Sequence, residues 1–345
     1  MDAVTVLVTG CGSPGISGTI FSLKNNFDGR MIKVIGTDMN PDNVGRYFCE
    51  KFYQIHRPSE EYIRDLSKIC DTEKVDIIIP QNTLELKTLS KYKYFLPAKV
   101  CISPSSSLID SNDKFKLISI AKSLGIPVPK TYEVSSKSEL ISRSTALGWP
   151  EKKVVVKPKI SSGSRGLAII DEMIEPRVNF LNSKPGSPDM NMEMLSLILG
   201  EEFDSMMVME YLPGPEYTVD VLRDIIAIPR RRTAIKNGIT FDGITENIEE
   251  LAANSLKLGT NIGLDYAYGF QYKINESGEY AIIECNPRVQ GTMVLSTISG
   301  CNIIYGAVKL ALGEKIPRFN PRWGTRLMRY WGSVGIHPNT SVQFV

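Results

Sequence analysis

Histidine is nearly absent from this 345-residue chain: only His56 and His337 occur, and neither has a metal-binding neighbour at helical spacing. Histidine-based triads and zinc hydrolysis are therefore poor explanations for it. Cysteine is sparse and scattered, at Cys11, Cys49, Cys70, Cys101, Cys285 and Cys301, with no Cys-x-x-Cys pair and no zinc-finger spacing. That pattern reads as reduced, mostly buried thiols in a reducing compartment. No apolar run approaches the roughly 18 residues that a spanning helix needs, and no basic stretch precedes the short apolar run after Met1. A cytoplasmic protein with no membrane partner is expected. Net charge is lacking too: 40 Lys and Arg stand against 38 Asp and Glu, leaving +2. No global field draws the chain to nucleic acid, so the expected partner is a small molecule.

What is present begins with enough apolar residue, 42%, to build two or three compact units. In the first hundred residues, β-rich runs (Val4 to Thr9, Ile32 to Thr37, Val75 to Ile79, Val100 to Ser103) alternate with helical patterns. The helix over Glu60 to Cys70 lines up Ile63, Leu66, Ile69 and Cys70 on one face, and a second is expected over Asn82 to Ser90. This is a parallel α/β unit. The stretch from Pro104 to Ser107 reads as an exit loop, followed by a helix capped by Ser111, Asn112 or Asp113 and running to Leu124. From Val154 the texture becomes α+β. Strands are expected over Val154 to Val156, Leu167 to Ile170, Met206 to Glu210, Tyr217 to Leu222, Ala267 to Ile274 and Tyr280 to Cys285, largely antiparallel. Glu276 to Glu279 reads as a hairpin turn.

The run from Gly10 to Gly15, with Gly12 and Ser13 at its centre, follows a strand and opens a helix, and Asp38 closes the next strand. On paper this is a dinucleotide fingerprint, with glycines letting backbone approach a pyrophosphate and a carboxylate taking the ribose. The same glycines also serve a plain tight turn or a small-substrate anion site, and Pro14 removes one N–H that could hold phosphate.

A stronger set lies in the second half. Lys157 ends a strand and is followed by the small-residue loop Ser161, Ser162, Gly163, Ser164, Arg165, Gly166; a strand lysine beside such a loop can clamp phosphates. From Met209 to Glu216 a strand, a Pro/Gly turn and a second strand follow, where backbone can pair with an adenine edge and Glu216 can accept from ribose hydroxyls. On the strand from Ile282, Glu284 and Asn286 lie two apart and project to one face, so both oxygens can address one hard cation. Arg288 lies just beyond, able to reach a phosphoryl group in transfer, and Gln271 on the neighbouring strand can add an oxygen. Without histidine or cysteine in register, Mg²⁺ is favoured over zinc, with Mn²⁺ admitted.

In this order, Lys114, the Val154 to Pro158 strand, the Ser/Gly loop, Glu210 to Glu216 and Glu284 to Arg288 resemble the ATP-grasp superfamily, nearest its carbamoyl-phosphate-synthase-like and carboxylate-amine-ligase-like members. The resemblance implies a Rossmann-like pre-ATP-grasp domain over 1–110, a small lobe with linker helix over 111–205, a large lobe over 206–320 and a tail over 321–345. It implies that Lys114 and Lys157 hold phosphates and that Ser161, Ser162, Gly163 and Gly166 belong to a lid over them. Glu210 and Leu212 would sit at the adenine, Glu216 at the ribose, Gln271, Glu284 and Asn286 at Mg²⁺, and Arg288, with Lys157, at the reacting phosphoryl group. Gln271 departs from the acidic residue common in the superfamily, which lowers negative charge there. The resemblance leaves the Gly-rich turn without an NAD role and points Arg230 and Arg232, alongside Arg231 and Lys236, toward the acceptor; a solvated charged edge is the alternative for those arginines.

The activity implied is a ligase: ATP converts a small-molecule carboxylate to an acyl phosphate, which an amine or ammonia captures with loss of phosphate. A phosphoryl transferase of carboxyphosphate or carbamoyl-phosphate type is the alternative, and an NAD-binding or nucleotide-sensing protein a third. A homodimer is the base expectation.

Overall fold

Alternation in the first strand sets up the N-terminal architecture: Val4, Val6 and Val8 face one way and Leu7 the other, and all four are buried. The computed structural model describes residues 2–161, 163, 165–183, 187–236, 238–336 and 342–344. Strand β1 (Val4–Val8) leads through the Gly-rich turn to helix α1 (Ile16–Lys24). There follow β2 (Ile32–Asp38), β3 (Lys51–Gln54), α2 (Glu60–Glu73), β4 (Ile77–Ile79), α3 (Thr83–Tyr92), β5 (Lys99–Val100) and α4 (Ser105–Asn112). The sheet order is β3-β2-β1-β4-β5, every pair parallel. The expected face of α2 is in place, with Ile63, Leu66, Ile69 and Cys70 buried against Leu7, Ile35 and Ile78. Helix α3 opens with a full capping box in which Asn82 and Glu85 bond reciprocally to backbone. The stretch expected to be an exit loop is instead the first turn of α4: Ser107 Oγ donates to the Gly263 carbonyl, and Ser111 Oγ to that of Ser107.

Helix α5 (Lys114–Ser123) is capped by Asp113, whose carboxylate accepts from the Phe115 and Lys116 amides. Next come β6 (Thr131–Ser136), α6 (Lys137–Ala146), β7 (Val154–Pro158), β8 (Ala168–Ile170), α7 (Pro176–Asn182), β9 (Asp189–Met190), α8 (Met192–Leu199) and β10 (Glu202–Glu210). They form a sheet of order β6-β10-β7-β8-β9, antiparallel except for β8 with β9. Val134, Val154, Val156, Ile170 and Val208 meet Leu140 of α6 and Leu195 of α8 in its core.

The remainder runs β11 (Glu216–Leu222), β12 (Ile226–Lys236), β13 (Ile239–Thr245), α9 (Glu249–Ile262), β14 (Ala267–Ile274), β15 (Tyr280–Asn286), α10 (Val294–Ile298), α11 (Ile303–Leu312), β16 (Arg326–Met328), β17 (Val334–Gly335) and β18 (Gln343–Phe344). Strands β11 to β16 make a sheet of order β15-β14-β11-β12-β13-β16, and β17 pairs with β18. The β14–β15 turn falls where expected, with Gly278 at φ 83°.

The chain divides into two compact units, one of residues 1–111, 217–271 and 285–345, the other of 112–216 and 272–284. The first segment of one unit ends at residue 111. The boundary expected at 205/206 does not separate two sheets, because β10 carries Met206 to Glu210 into the sheet of the second unit, bonded to β6 and β7. Nor does the stretch beyond 217 stand apart from the N-terminal domain. Val4, Val6, Val8, Ile16, Ile20 and Leu23 share one core with Met293, Ile303, Ile304, Ala307 and Val308.

Candidate functional site

Within the second unit, two lysines are buried, which is costly for ammonium groups unless something compensates. Lys114, 4% exposed at the start of α5, donates from Nζ to the Ser161 carbonyl at 2.9 Å and lies 3.3 Å from Ser161 Oγ. Lys157, 8% exposed on β7, donates to the Ile283 carbonyl at 3.3 Å. Burial pulls the Lys157 ammonium down to about 8; the Glu284 carboxylate pushes back up, Lys114 pushes further down, and Glu216 raises it slightly. The sequence motifs at Lys114, Lys157, Ser161, Glu216 and Glu284 thus converge on one electrostatic neighbourhood. Gly163 and Gly166 hold φ of 64° and 72° in the loop after β7. At Gly166 a Cβ would also stand 2.8 Å from Pro158 Cγ, so glycine is demanded there. Ser162 lies outside the described residues. Glu210 closes β10, its carboxylate accepting from the Lys130 amide at 2.9 Å, and Leu212 is buried just beyond. Between them Tyr211 lies under the ammonium groups of both Lys153 and Lys273.

A pH dependence follows. In the nucleotide-free protein Lys157 loses its proton as pH rises through about 8, so its attraction for phosphate is full below that pH and fades above it. Affinity for ATP is expected to fall by up to about tenfold per pH unit above 8, with proton uptake on binding, measured by calorimetry between pH 7 and 10. In Lys157→Arg, whose guanidinium does not titrate there, the profile should flatten. A wild-type profile already flat would remove Lys157 from the phosphates.

Gln271, Glu284 and Asn286 occupy the neighbouring strands β14 and β15. Their side chains carry one carboxylate and two amide oxygens, the donor chemistry that hard cations take. Beyond β15 the chain turns tightly, the Arg288 amide donating to the Asn286 carbonyl at 2.8 Å. The Arg288 guanidinium is fixed by Nε to Thr83 Oγ1 at 3.0 Å and Nη1 to the Val289 carbonyl at 2.9 Å, with Nη2 3.5 Å from Asn286 Oδ1. Both anchors lie in the first unit.

Four amides in and just after the Gly-rich turn are engaged within the protein: Cys11 to the Thr37 carbonyl, Gly12 to Asp38 Oδ2 at 2.7 Å, Ser13 to the Gly10 carbonyl and Ile16 to that of Ser13. Asp38, the expected ribose ligand of a dinucleotide reading, instead clamps Gly12 with one oxygen and the Asn40 amide with the other. Gly15 permits close approach, but of protein: a Cβ there would stand 2.3 Å from Gly291 Cα.

Arg230 and Arg232 also differ from expectation, being neither a solvated edge nor groups held open for an acceptor. Arg230 is 2% exposed and forms a two-pronged pair with the fully buried Asp220, at 2.8 and 2.9 Å. Ser296 Oγ adds a bond to the same carboxylate. Arg232 donates to Thr240 Oγ1 and the Gly238 carbonyl. Arg329, in the tail to which the sequence assigned no role, reaches the turn: Nη1 donates to the Pro14 carbonyl at 2.9 Å and Nη2 to that of Gly291. Burial, with Arg230 nearby, lowers its pKa. Ser13 Oγ is buried and bonds to no described group.

This architecture is the ATP-grasp fold. The chain superposes on N5-carboxyaminoimidazole synthetase from Staphylococcus aureus complexed with ADP with a TM-score of 0.66 at 16% identity, over 93% of this chain and 81% of that one. For a biotin carboxylase–β,γ-ATP complex from Campylobacter jejuni the score is 0.67 at 16% identity, over 92% and 73%. Residues 202–329 match the family model described as ATP-grasp in the biosynthetic pathway with Ter operon, and residues 6–99 match the PylC-like N-terminal domain. The carbamoyl phosphate synthase large chain of Clostridium perfringens (strain 13 / Type A) is 26% identical over 302 residues, 83% of this chain and 26% of that protein. That of Methanobrevibacter smithii is 26% identical over 272 residues, 72% and 24%. The chain therefore spans about a quarter of the length of these relatives. The chain thus has the ATP-grasp fold, and residues 202–329 match an ATP-grasp family model. No helix among the described residues is long and apolar enough to cross a membrane.

Proposed function

We propose that this chain activates a small-molecule carboxylate, bicarbonate included, as an acyl phosphate with ATP and Mg²⁺, and that an amine or ammonia captures it to form a C–N bond. The observation that carries the reading is the buried Lys114–Lys157 neighbourhood facing Glu284: two cations held out of water await anions, and the carboxylate keeps one of them protonated. The structural neighbours named above, one holding ADP and one an ATP analogue, support it.

A carboxylate is a poor electrophile until its oxygen becomes a phosphate leaving group. Lys114 and Lys157 orient the phosphates, with Ser161, Gly163 and Gly166 in the loop over them. Glu210, Leu212 and Glu216 take the adenine and ribose. Gln271, Glu284 and Asn286 hold Mg²⁺, which when bound offsets charge on the phosphate oxygens. Arg288 takes the developing charge on the transferred group. At the substrate end, Ser13 Oγ of the Gly-rich turn and Nε of Arg329, whose Nη groups bond to that turn and to Gly291, are the groups that can hold an anion, since the Gly12 amide and Arg230 are engaged by carboxylates.

ATP turnover with pooled carboxylates, with and without hydroxylamine, tests the reading. ADP and a carboxylate-dependent hydroxamate establish acyl-phosphate chemistry. A phosphorylated product that hydroxylamine does not intercept would replace the ligase with a phosphoryl transferase.

Glu284→Ala is expected to shift the Mg²⁺ midpoint for turnover by on the order of tenfold or more. Because Glu284 holds up the Lys157 pKa, the ATP-binding profile should also move to lower pH. Unchanged metal titration curves would sink the assignment.

A further inference from the structure

Two cysteines meet beneath the Gly-rich turn. Cys11 lies within it and is fully buried; Cys49, at the end of the 3₁₀ turn Val44–Phe48, is half-buried. A Cβ built on Gly36 of β2 would stand 2.5 Å from Cys49 Sγ and 2.8 Å from Cys11 Sγ. Both sulfurs thus occupy the space that the missing side chain leaves. The Cys11 backbone is held just as closely from the other side, since a Cβ on Gly45 would stand 1.9 Å from its carbonyl oxygen. Two glycines, one on each side, therefore make room for the thiol pair. Cys11 Sγ donates to the Val8 carbonyl at 3.5 Å and Cys49 Sγ to that of Gly45 at 3.4 Å, and the neighbouring Cys49 together with burial pushes the Cys11 thiol up. The half-buried Cys49 is then the sulfur that meets an oxidant first.

We propose that Cys11 and Cys49 form a reversible disulfide under a hydroperoxide, and that this bond displaces the Gly-rich turn and weakens binding of the carboxylate substrate. Cys49 sulfur takes one peroxide oxygen as a sulfenic acid, and the alcohol, or water from hydrogen peroxide, leaves. Cys11 sulfur then attacks Cys49 sulfur; the S–S bond forms, the S–O bond breaks, and the hydroxyl departs as water with the Cys11 proton. Two thiols lose two electrons and two protons to the peroxide. An S–S bond of about 2.05 Å is shorter than any thiol hydrogen bond, so Cys11 must move. Gly12 and Ser13 follow it directly in the chain.

The regulatory half rests on Ser13 facing the substrate, whereas the bond itself does not, and the test separates them. The protein is treated with hydrogen peroxide, alkylated, digested and analysed by mass spectrometry, in parallel with thiol titration and steady-state kinetics. The expected result is a Cys11–Cys49 crosslinked peptide, two titratable thiols fewer, and a KM for the carboxylate raised on the order of tenfold. ATP affinity should be unchanged, and dithiothreitol should reverse every effect. Cys49→Ser should keep its basal activity and lose the response; Cys11→Ala gives the same reading from the other side. Retention of all thiols, a crosslink between other cysteines, or arrest at a sulfinic acid on Cys49 would overturn the disulfide. A crosslink with unchanged KM would overturn the regulation. If Ser13→Ala then also left KM unchanged, the fault would lie in placing the substrate at the turn.

Discussion

Arg288→Ala should lower turnover by about 10²–10³-fold while leaving ATP affinity within a few-fold of wild type. The magnitude is that of removing one preorganised donor from the charge developing in a transition state. The guanidinium is held in place by Thr83 Oγ1 and the Val289 carbonyl, which limits its reorganisation when charge moves. Rapid-quench measurement of the phosphoryl-transfer step, beside the steady state, distinguishes this from slower product release. A loss smaller than about threefold would take Arg288 out of the chemistry.

The second large effect concerns stability. Arg230→Ala should cost about 3–5 kcal/mol, because it strands a carboxylate in the core. Asp220 is fully buried, and of the side chains described as bonding to it only Ser296 Oγ would remain after the substitution. Urea unfolding of Arg230→Ala, Asp220→Ala and the double variant separates the stranded charge from lost packing. The double variant should be less destabilised than the sum of the singles. Additive losses would mean that the pair does not act as a unit.

Sequence was most readable where one local period governed the outcome. The face of α2 follows from spacing of about 3.6 residues. The converging motifs at Lys114, Lys157, Glu216 and Glu284 were legible because each carries its own chemistry. What failed depended on partners remote in the chain. Arg230 sits in a run of three arginines that resembles a solvated edge, and only the β11–β12 pairing brings Asp220 beneath it. Strand β10 was readable as a strand, but not the sheet it would join. Ser105 to Ser107 resemble a loop because serine competes locally for backbone, yet tertiary bonds to Gly263 settle them as helix. Arg329 had no signal, since neither Pro14 nor Gly291 is near it in sequence.

The core shared by β1, α1, α10 and α11 has a consequence for biosynthesis. When the first 111 residues leave the ribosome, their sheet has one face covered by α2 and α3, while the other still lacks α10 and α11. Those helices arrive only after roughly 200 further residues, about 10–40 s at ordinary elongation rates. Until then Val4, Val6 and Val8 have α1 alone over them, and the rest of that apolar face stays open to water. A fragment ending at residue 111 should therefore aggregate more readily than the whole chain, as light scattering of the two at equal concentration would read.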